Sequence, residues 1–175
     1  MIYIASFGRI ERKILSLIAS EVATTFNKPT LISRKTLKIP QVAYVPERNQ
    51  YYAEFFLKET LKSFRDKDIE KILAVTDVNI FTDDLNFVFG VAQLNGRAAL
   101  ISLYMLDPRT YGNPYNEELF FSRIIKEAIH ELGHTYGLRH CKNEKCVMAF
   151  SNSVSDVDRK TKEFCDACKI KLFHE

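Results

Sequence analysis

The chain has 175 residues, 46% of them hydrophobic, with six Gly and five Pro, a composition typical of one globular domain that can bury a core. Its 25 Lys and Arg against 22 Asp and Glu give a net charge of +3, and the two signs are interspersed, so no basic stripe indicates a nucleic-acid partner. The longest apolar runs, at 1–5 and 146–150, are far shorter than the roughly 18 residues of a membrane-spanning helix. The N-terminal segment lacks the pattern of a secretion signal, so we expect a cytoplasmic protein.

Short strand-like runs alternate with helical runs over the first two-thirds of the chain. Such alternation is typical of strands that pack under crossover helices. Apolar residues spaced three and four apart indicate the helices, and short β-prone runs between turn residues indicate the strands. In chain order the predicted elements are a strand at 2–6, a helix at 11–26, a weaker strand at 31–37, a helix at 51–64 and a buried strand at 71–76.

Two further β-prone runs, at 87–94 and 98–104, flank the dipeptide Asn95-Gly96. This dipeptide tolerates the positive φ angles of a tight turn, which predicts an antiparallel hairpin. Downstream, Asn116 precedes two glutamates and apolar residues at helical spacing, so we expect a helix from there to Gly137. The sequence shows no internal repeat or long linker, which indicates a single domain over residues 1–175.

Three of the four histidines of the chain follow the pattern HExxHxxGxxH. On a helix, His130 and His134 lie one turn apart on the same face, so both imidazoles can reach one metal ion. Gly137 permits a sharp exit from the helix, which lets His140 supply a third nitrogen. Glu131 is the residue type that accepts a proton from water at such sites. The alternative, three unrelated core or surface histidines, requires a chance match to this spacing.

The four cysteines form a C-x4-C pair and a C-x2-C pair, Cys141 with Cys146 and Cys165 with Cys168. This arrangement predicts a closed, structural zinc site of four thiolates. Two disulfides or a redox-active C-x-x-C are the alternatives. Basic residues near the cysteines in sequence either donate hydrogen bonds to sulfur or solvate the surface: Arg139, Lys142, Lys145, Arg159, Lys160, Lys162, Lys169 and Lys171.

Together these motifs resemble the archaemetzincins, a branch of the metzincin metallopeptidases. The resemblance rests on HExxHxxGxxH running directly into Cys141, on the C-x4-C and C-x2-C pairs, and on Met148 two residues after Cys146. It includes the strand segments 71–78 and 87–94 and covers about residues 50–170.

The resemblance implies an α/β (α+β) fold of the zincin, metzincin-like type. This fold has a twisted mixed sheet with an antiparallel edge strand, here 87–94, two backing helices, an active-site helix and a small zinc-bound C-terminal subdomain. An upper subdomain would span 1–137 and a lower one 138–175. Met148 matches the methionine of the turn beneath the metal-binding imidazoles, although from the residues alone it could equally be core filler.

The resemblance further implies a zinc metallopeptidase with two zinc ions. One zinc would be catalytic, on His130, His134 and His140, with Glu131 as general base for a zinc-activated water. The other would be structural, on Cys141, Cys146, Cys165 and Cys168. We expect a peptide as the substrate, with short peptides favoured by the compact chain, and a monomeric protein.

One position departs from the metzincin pattern, because Phe150 stands where several metzincins have a tyrosine near the metal. A second stabiliser of the oxyanion would then come from elsewhere, and the sequence does not rank Tyr104, Tyr111, Tyr115 and Tyr136 for this role. Two other functions stay open: a zinc-stabilised binding module without peptidase turnover, and a zinc knuckle that binds nucleic acid through its lysines.

Overall fold

The computed structural model describes residues 1–65 and 68–174, which form eight strands and five α-helices. Short 3₁₀ turns at Gln41–Ala43, Tyr104–Leu106 and Pro108–Tyr111 connect some of them. In chain order the elements are β1 (Ile2–Phe7), α1 (Arg12–Phe26), β2 (Thr30–Leu37), β3 (Tyr44–Val45), β4 (Gln50–Tyr52), α2 (Glu54–Ser63), β5 (Lys71–Thr76), β6 (Ile80–Phe81), β7 (Gly90–Ala92), β8 (Ala98–Ser102), α3 (Glu117–Thr135), α4 (Val154–Arg159) and α5 (Asp166–Phe173).

The main sheet has five strands in the order β2-β1-β5-β8-β7. The first four are parallel to one another, and β7 pairs antiparallel with β8, with Val91 opposite Leu100. This is the predicted mixed sheet with an antiparallel edge strand. A smaller sheet of β3, β4 and β6, which the sequence did not predict, lies beside it.

Apolar side chains cover both faces of the main sheet, as expected for central parallel strands. In β5, Leu73 and Val75 join a core cluster with residues of α1 and α3, whereas Ile72 and Ala74 join a second cluster with residues of α2. All four side chains are fully buried. The alternation along β5 therefore fixes α3, which carries the histidine motif, on one face of the sheet.

The second predicted helix begins later than expected. Residues 51 and 52 belong to β4, where Tyr51 pairs with Tyr44 of β3 and with Ile80 of β6. The hydroxyl of Tyr52 donates to Asp83 at 2.8 Å. Aromatic residues at helical spacing also suit a strand, and long-range pairing with β6 decides between the two here.

The hairpin forms as predicted, but its strands are shorter than 87–94 and 98–104. Asn95 adopts a positive φ of 57°, and the side chain of Gln93 accepts hydrogen bonds from the amides of Arg97 and Ala98 at 3.2 and 3.1 Å. This side-chain closure takes the place of regular pairing near the turn. At the other end, β8 stops at Ser102 because a 3₁₀ turn follows.

The long helix α3 starts and ends at the predicted signals. The side chain of Asn116 accepts a hydrogen bond from the amide of Leu119 at 3.1 Å, which caps the first turn. At the other end, Lys71 Nζ donates to the carbonyl of Thr135 at 2.8 Å, and Gly137 has a φ of +93°. Within residues 1–65 and 68–174, we find no helix with the length and apolarity needed to cross a membrane.

The sequence analysis did not predict the C-terminal helices α4 and α5, and α4 packs against α3. Arg123 of α3, nearly buried, binds Asp158 of α4 through two hydrogen bonds of 2.9 Å. A third hydrogen bond, of 3.0 Å, joins Arg123 to the carbonyl of Leu106. The C-terminal segment is thereby fixed beside the helix that carries the first two histidines of the motif.

Candidate metal centre

His130 and His134 project from the same face of α3, as the four-residue spacing predicted. Each ring places Nδ1 against a backbone carbonyl, His130 at 2.8 Å from Val147 O and His134 at 2.7 Å from Leu138 O. A carbonyl oxygen only accepts hydrogen bonds, so both Nδ1 atoms carry the proton and both Nε2 atoms present a lone pair. The two Nε2 atoms lie 3.1 Å apart. Two lone pairs at this separation repel each other, and a cation between them removes that repulsion.

His140 joins the other two histidines from the loop after α3. Its ring centre lies 5.4 Å from that of His130 and 4.9 Å from that of His134. One nitrogen of each of the three rings falls within 4.8 Å of the others. His140 is exposed, whereas His130 is buried, so the centre is open on one side. This arrangement fits a metal ion with three protein ligands and an open position.

The surroundings keep the three imidazoles neutral, which is the state that binds a metal. Burial lowers the pKa of His130 well below its usual range, and the charge of Lys160 lowers it further. Burial is also the main reason why the pKa values of His134 and His140 are lowered. The donor set is therefore ready to bind a cation near neutral pH.

Glu131 follows His130 on α3, and its carboxyl group is buried against the edge strand β7. A Cβ atom added at Gly90 would stand 2.7 Å from Glu131 Cγ and 3.0 Å from its carboxyl carbon. Burial raises the pKa of the Glu131 carboxyl well above its usual range, Glu127 raises it further, and Lys160 opposes the shift. A carboxylate with a raised pKa is a stronger proton acceptor.

Gly90→Ala is expected to lower the free energy of unfolding by about 1–3 kcal/mol, because the added methyl group overlaps its neighbours. The added Cβ atom would also stand 2.5 Å from the carbonyl oxygen of Leu100, which the sheet holds in place. Denaturant unfolding measures the change. Gly112→Ala is the comparison variant, because it strains the backbone without steric overlap. Gly112 has a φ of +79°, but a Cβ added there meets no atom within 4 Å. Unchanged stability of Gly90→Ala would contradict this packing.

The four cysteines come together as a second cluster. Their sulfur atoms all lie within 4.8 Å of one another, with Cys141 Sγ 3.7 Å from Cys165 Sγ and Cys146 Sγ 3.8 Å from Cys168 Sγ. These distances are far longer than a disulfide bond of about 2.05 Å, and all four cysteines are free. A tetrahedral zinc ion with Zn–S bonds of about 2.3 Å separates its ligands by about 3.8 Å, which fits both distances.

Backbone amides, rather than lysine side chains, donate the hydrogen bonds to sulfur that the structure shows. Cys146 Sγ accepts from the amides of Met148 at 3.4 Å and Cys165 at 3.3 Å, and Cys141 Sγ accepts from Asn143 at 3.5 Å. An amide hydrogen bond from Cys168 is the largest influence on Cys165 and lowers its pKa to about 7. Amide donors of this kind stabilise thiolates without adding charge.

Met148 is fully buried in the turn between the two clusters. Its sulfur packs against α3 at Gly133, where an added Cβ would stand 2.5 Å from Met148 Sδ. Gly133 lies between His130 and His134 in the sequence, so the methionine contacts the stretch of helix that carries both rings. The turn and the helix thus approach each other closely at this glycine.

A cleft of about 400 Å³ runs past the histidines, with β7 on one side and the segment after Met148 on the other. The ring of Phe150 lies 5.1 Å from that of His140 at its rim. Among the described residues that line the cleft, the hydroxyl groups belong to Thr82 and Ser151.

The four tyrosines considered as oxyanion stabilisers lie away from this cleft in the described structure. Tyr111 donates its hydroxyl to Met105 O at 2.6 Å, and Tyr136 stacks on Phe26 at a ring distance of 5.3 Å. Tyr115 packs against Phe120, and Tyr104 lines a different cavity. The sequence left these four tyrosines unranked, and in the structure each ring packs on or faces another part of the fold.

Two buried charged residues near the histidines were not predicted as part of the site. Glu127 lines the cleft, and Lys160, with 2% exposure, binds it at 3.0 Å. Glu127 precedes Glu131 by one helical turn, and this spacing could have indicated it. Lys160 was counted with the basic residues around the cysteines, and nothing in the local sequence distinguishes it from its exposed neighbours.

Comparison with known proteins gives matches over nearly the whole chain. The sequence profile of peptidase family M54 matches residues 8–174. An archaemetzincin from Methanocaldococcus jannaschii is 42% identical over 171 residues, which are 98% of this chain and 92% of that protein. The crystal structure of archaemetzincin from Archaeoglobus fulgidus complexed with malonate is 34% identical with a TM-score of 0.83, over 98% of this chain and 99% of that chain. The crystal structure of a zinc-dependent peptidase from Methanocorpusculum labreanum has 27% sequence identity to this chain and a TM-score of 0.84. The match covers 98% of this chain and 100% of that chain.

Proposed function

Because the chain belongs to peptidase family M54, the archaemetzincins, and is a zinc metallopeptidase, we propose that it hydrolyses short peptides with Glu131 as the general base. The observation that carries the proposal is the position of Glu131. Its buried carboxyl group packs against Gly90 of the edge strand β7, and Glu131 lines the same cleft as His130 and His134.

His130, His134 and His140 are the residues that would hold the catalytic zinc. When bound, zinc supplies a Lewis acid that polarises the scissile carbonyl and makes water easier to deprotonate. Glu131 accepts the proton of the attacking water on a carboxylate oxygen and then donates it to the amine nitrogen that leaves. The burial that raises the pKa of Glu131 supports both steps, because the same group must bind a proton and release it.

The free edge of β7 is the surface that we propose for the peptide backbone. Hydrogen bonds to β8 use Phe89 O, which accepts from Ser102, and the Gln93 amide, which donates to Ala98. In an antiparallel pair these groups alternate along the strand, so the N–H and C=O groups of Gly90 and Ala92 point away from β8. A peptide can add to this edge as a further strand. The size of the cleft, about 400 Å³, supports short peptides as substrates.

We further propose that Cys141, Cys146, Cys165 and Cys168 hold a structural zinc, which gives two zinc ions per chain. The sulfur separations of 3.7 and 3.8 Å support this assignment. Four thiolates close the coordination sphere, whereas three imidazoles leave a position open. The division into an upper subdomain to residue 137 and a lower one from 138 is part of the same proposal.

The zinc-loaded chain is expected to cleave members of a mixed library of short peptides, and brief treatment with a mild chelator should stop cleavage while removing one of two zinc ions. Cys146 and Cys168 are buried, whereas His140 is exposed, so the histidine-bound ion should leave first. Metal analysis and mass spectrometry of the peptides provide the measurements, and added zinc should restore cleavage.

Two results would contradict the proposal. Zinc-loaded protein that binds peptides without cleaving any of them would favour a zinc-stabilised binding module instead. One zinc or less per chain, with no increase after zinc addition, would contradict the pair of metal sites. Binding to random oligonucleotides that weakens with salt would favour the nucleic-acid alternative.

A further inference from the structure

Three consecutive carbonyl groups of the methionine turn are each held by a different part of the metal centre. Val147 O faces Nδ1 of His130 at 2.8 Å, and Met148 O accepts from the amide of Cys141, the residue after His140, at 2.9 Å. Ala149 O accepts from the ammonium group of Lys160 at 3.2 Å. The position of this turn therefore depends on Lys160 at one end and sets the orientation of His130 at the other.

Lys160 occupies a fully enclosed position. None of its side-chain surface is exposed, and its Nζ lies 3.0 Å from Glu127 Oε1 and 3.4 Å from Nδ1 of His130. Because His130 Nδ1 bears a proton, its contact with the ammonium group is an approach of two donors rather than a hydrogen bond. The negative charge of Glu127, whose side chain is 3% exposed, compensates the ammonium group at this point.

A buried ion pair of this kind is a poor source of stability. The desolvation of both charges offsets most of their attraction, and apolar replacements of similar volume are often as stable or more stable. A contribution to stability alone therefore does not explain why this buried ion pair is present. Residues around the direct ligands of a metal, in contrast, commonly change metal affinity by about 10–100-fold when they are replaced.

We propose that Lys160 and Glu127 are positioning residues of the histidine centre: Lys160 fixes the methionine turn that orients His130, and Glu127 neutralises the ammonium group beside the ring. Both residues act through the turn and through His130. The pair links α3 to the residue that follows α4, so it also fixes the C-terminal segment against the active-site helix. This inference rests on the proposed zinc site.

The double variant Lys160→Met/Glu127→Leu tests the proposal, because it removes both charges and leaves the net charge near His130 unchanged. The protein is prepared with the thiolate site filled, and zinc binding at the histidines is measured by competition with a chromophoric chelator. We expect a dissociation constant about 10-fold or more above that of the parent chain. The absorption spectrum of cobalt at the histidine site should also shift, because the angle of the His130 ring changes. Lys162→Met, an exposed lysine two residues further on, is the matched control and should behave as the parent.

Glu127→Gln provides a second test with almost no change in volume. It leaves the ammonium group without its counter-charge beside His130, so zinc should again bind about 10-fold more weakly. If the double variant folds with parental zinc affinity and a parental cobalt spectrum, the pair is only a structural ion pair and the proposal is wrong. If the double variant does not fold, parental zinc affinity of Glu127→Gln overturns it. Failure of the parent chain to bind zinc at the histidines would instead contradict the proposed function.

Discussion

Glu131→Gln is expected to bind zinc as the parent chain does and to hydrolyse peptides at least about 100-fold more slowly. General-base catalysis contributes about 10²–10⁴-fold to a rate, and an amide does not accept the proton of the attacking water. The three histidines are unchanged, and the side chain of Gln has nearly the same volume beside Gly90. This variant should therefore keep its zinc affinity while it loses peptide hydrolysis.

The measurements are kcat/KM on a peptide that the parent cleaves and the dissociation constant of zinc at the histidine site. Glu118→Gln makes the same change at an exposed position in the first turn of α3, and it should leave both values unchanged. If Glu131→Gln retains the parental kcat/KM, Glu131 is not the base. If its zinc affinity falls together with its rate, the carboxylate acts on the metal rather than on the proton.

Elements specified by local signals could be predicted from the sequence. Helix α3 starts directly after Asn116 and ends before Gly137, because a side-chain cap and a positive φ need only the residues at each end. Strand β5 agrees with its prediction at both ends, because the five residues after Lys71 are apolar or β-prone and form a central strand. The spacing of the histidines and cysteines likewise predicted the two clusters that the structure brings together.

Features that depend on distant partners could not be predicted. Strand β4 exists because Tyr51 pairs with Ile80, 29 residues further along the chain. Lys160 has the local sequence of an exposed lysine, and only the packing of α4 against α3 places it beside Glu127. The tyrosines were considered because any hydroxyl could have reached the cleft, and the fold directs them elsewhere. Sequence therefore predicted which histidines and cysteines come together better than it predicted the residues that support them.

Cys165→Ser is expected to remove the structural zinc, to lower the free energy of unfolding by several kcal/mol and to weaken zinc binding at the histidines. Binding energy at a structural zinc site is largely folding energy, about 10–16 kcal/mol in small zinc-dependent folds. The Sγ atom of Cys165 lies 3.7 Å from that of Cys141, so its loss leaves Cys141 without a closed site. Asp166→Ser, at the exposed adjacent residue, is the control for a change at the start of α5.

The effect on the histidines follows from the backbone that joins the two clusters. His140 and Cys141 are consecutive, with Cα atoms about 3.8 Å apart across one peptide bond, and the amide of Cys141 donates to Met148 O at 2.9 Å. When Cys141 loses its position, His140 and the methionine turn lose theirs, whereas His134 stays fixed by α3. We therefore expect zinc to dissociate more readily from the histidine site in Cys165→Ser, although the substituted residue is 25 positions from His140. Unchanged affinity there, with the thiolate site shown by metal analysis to be empty, would mean that the shared backbone does not couple the two sites.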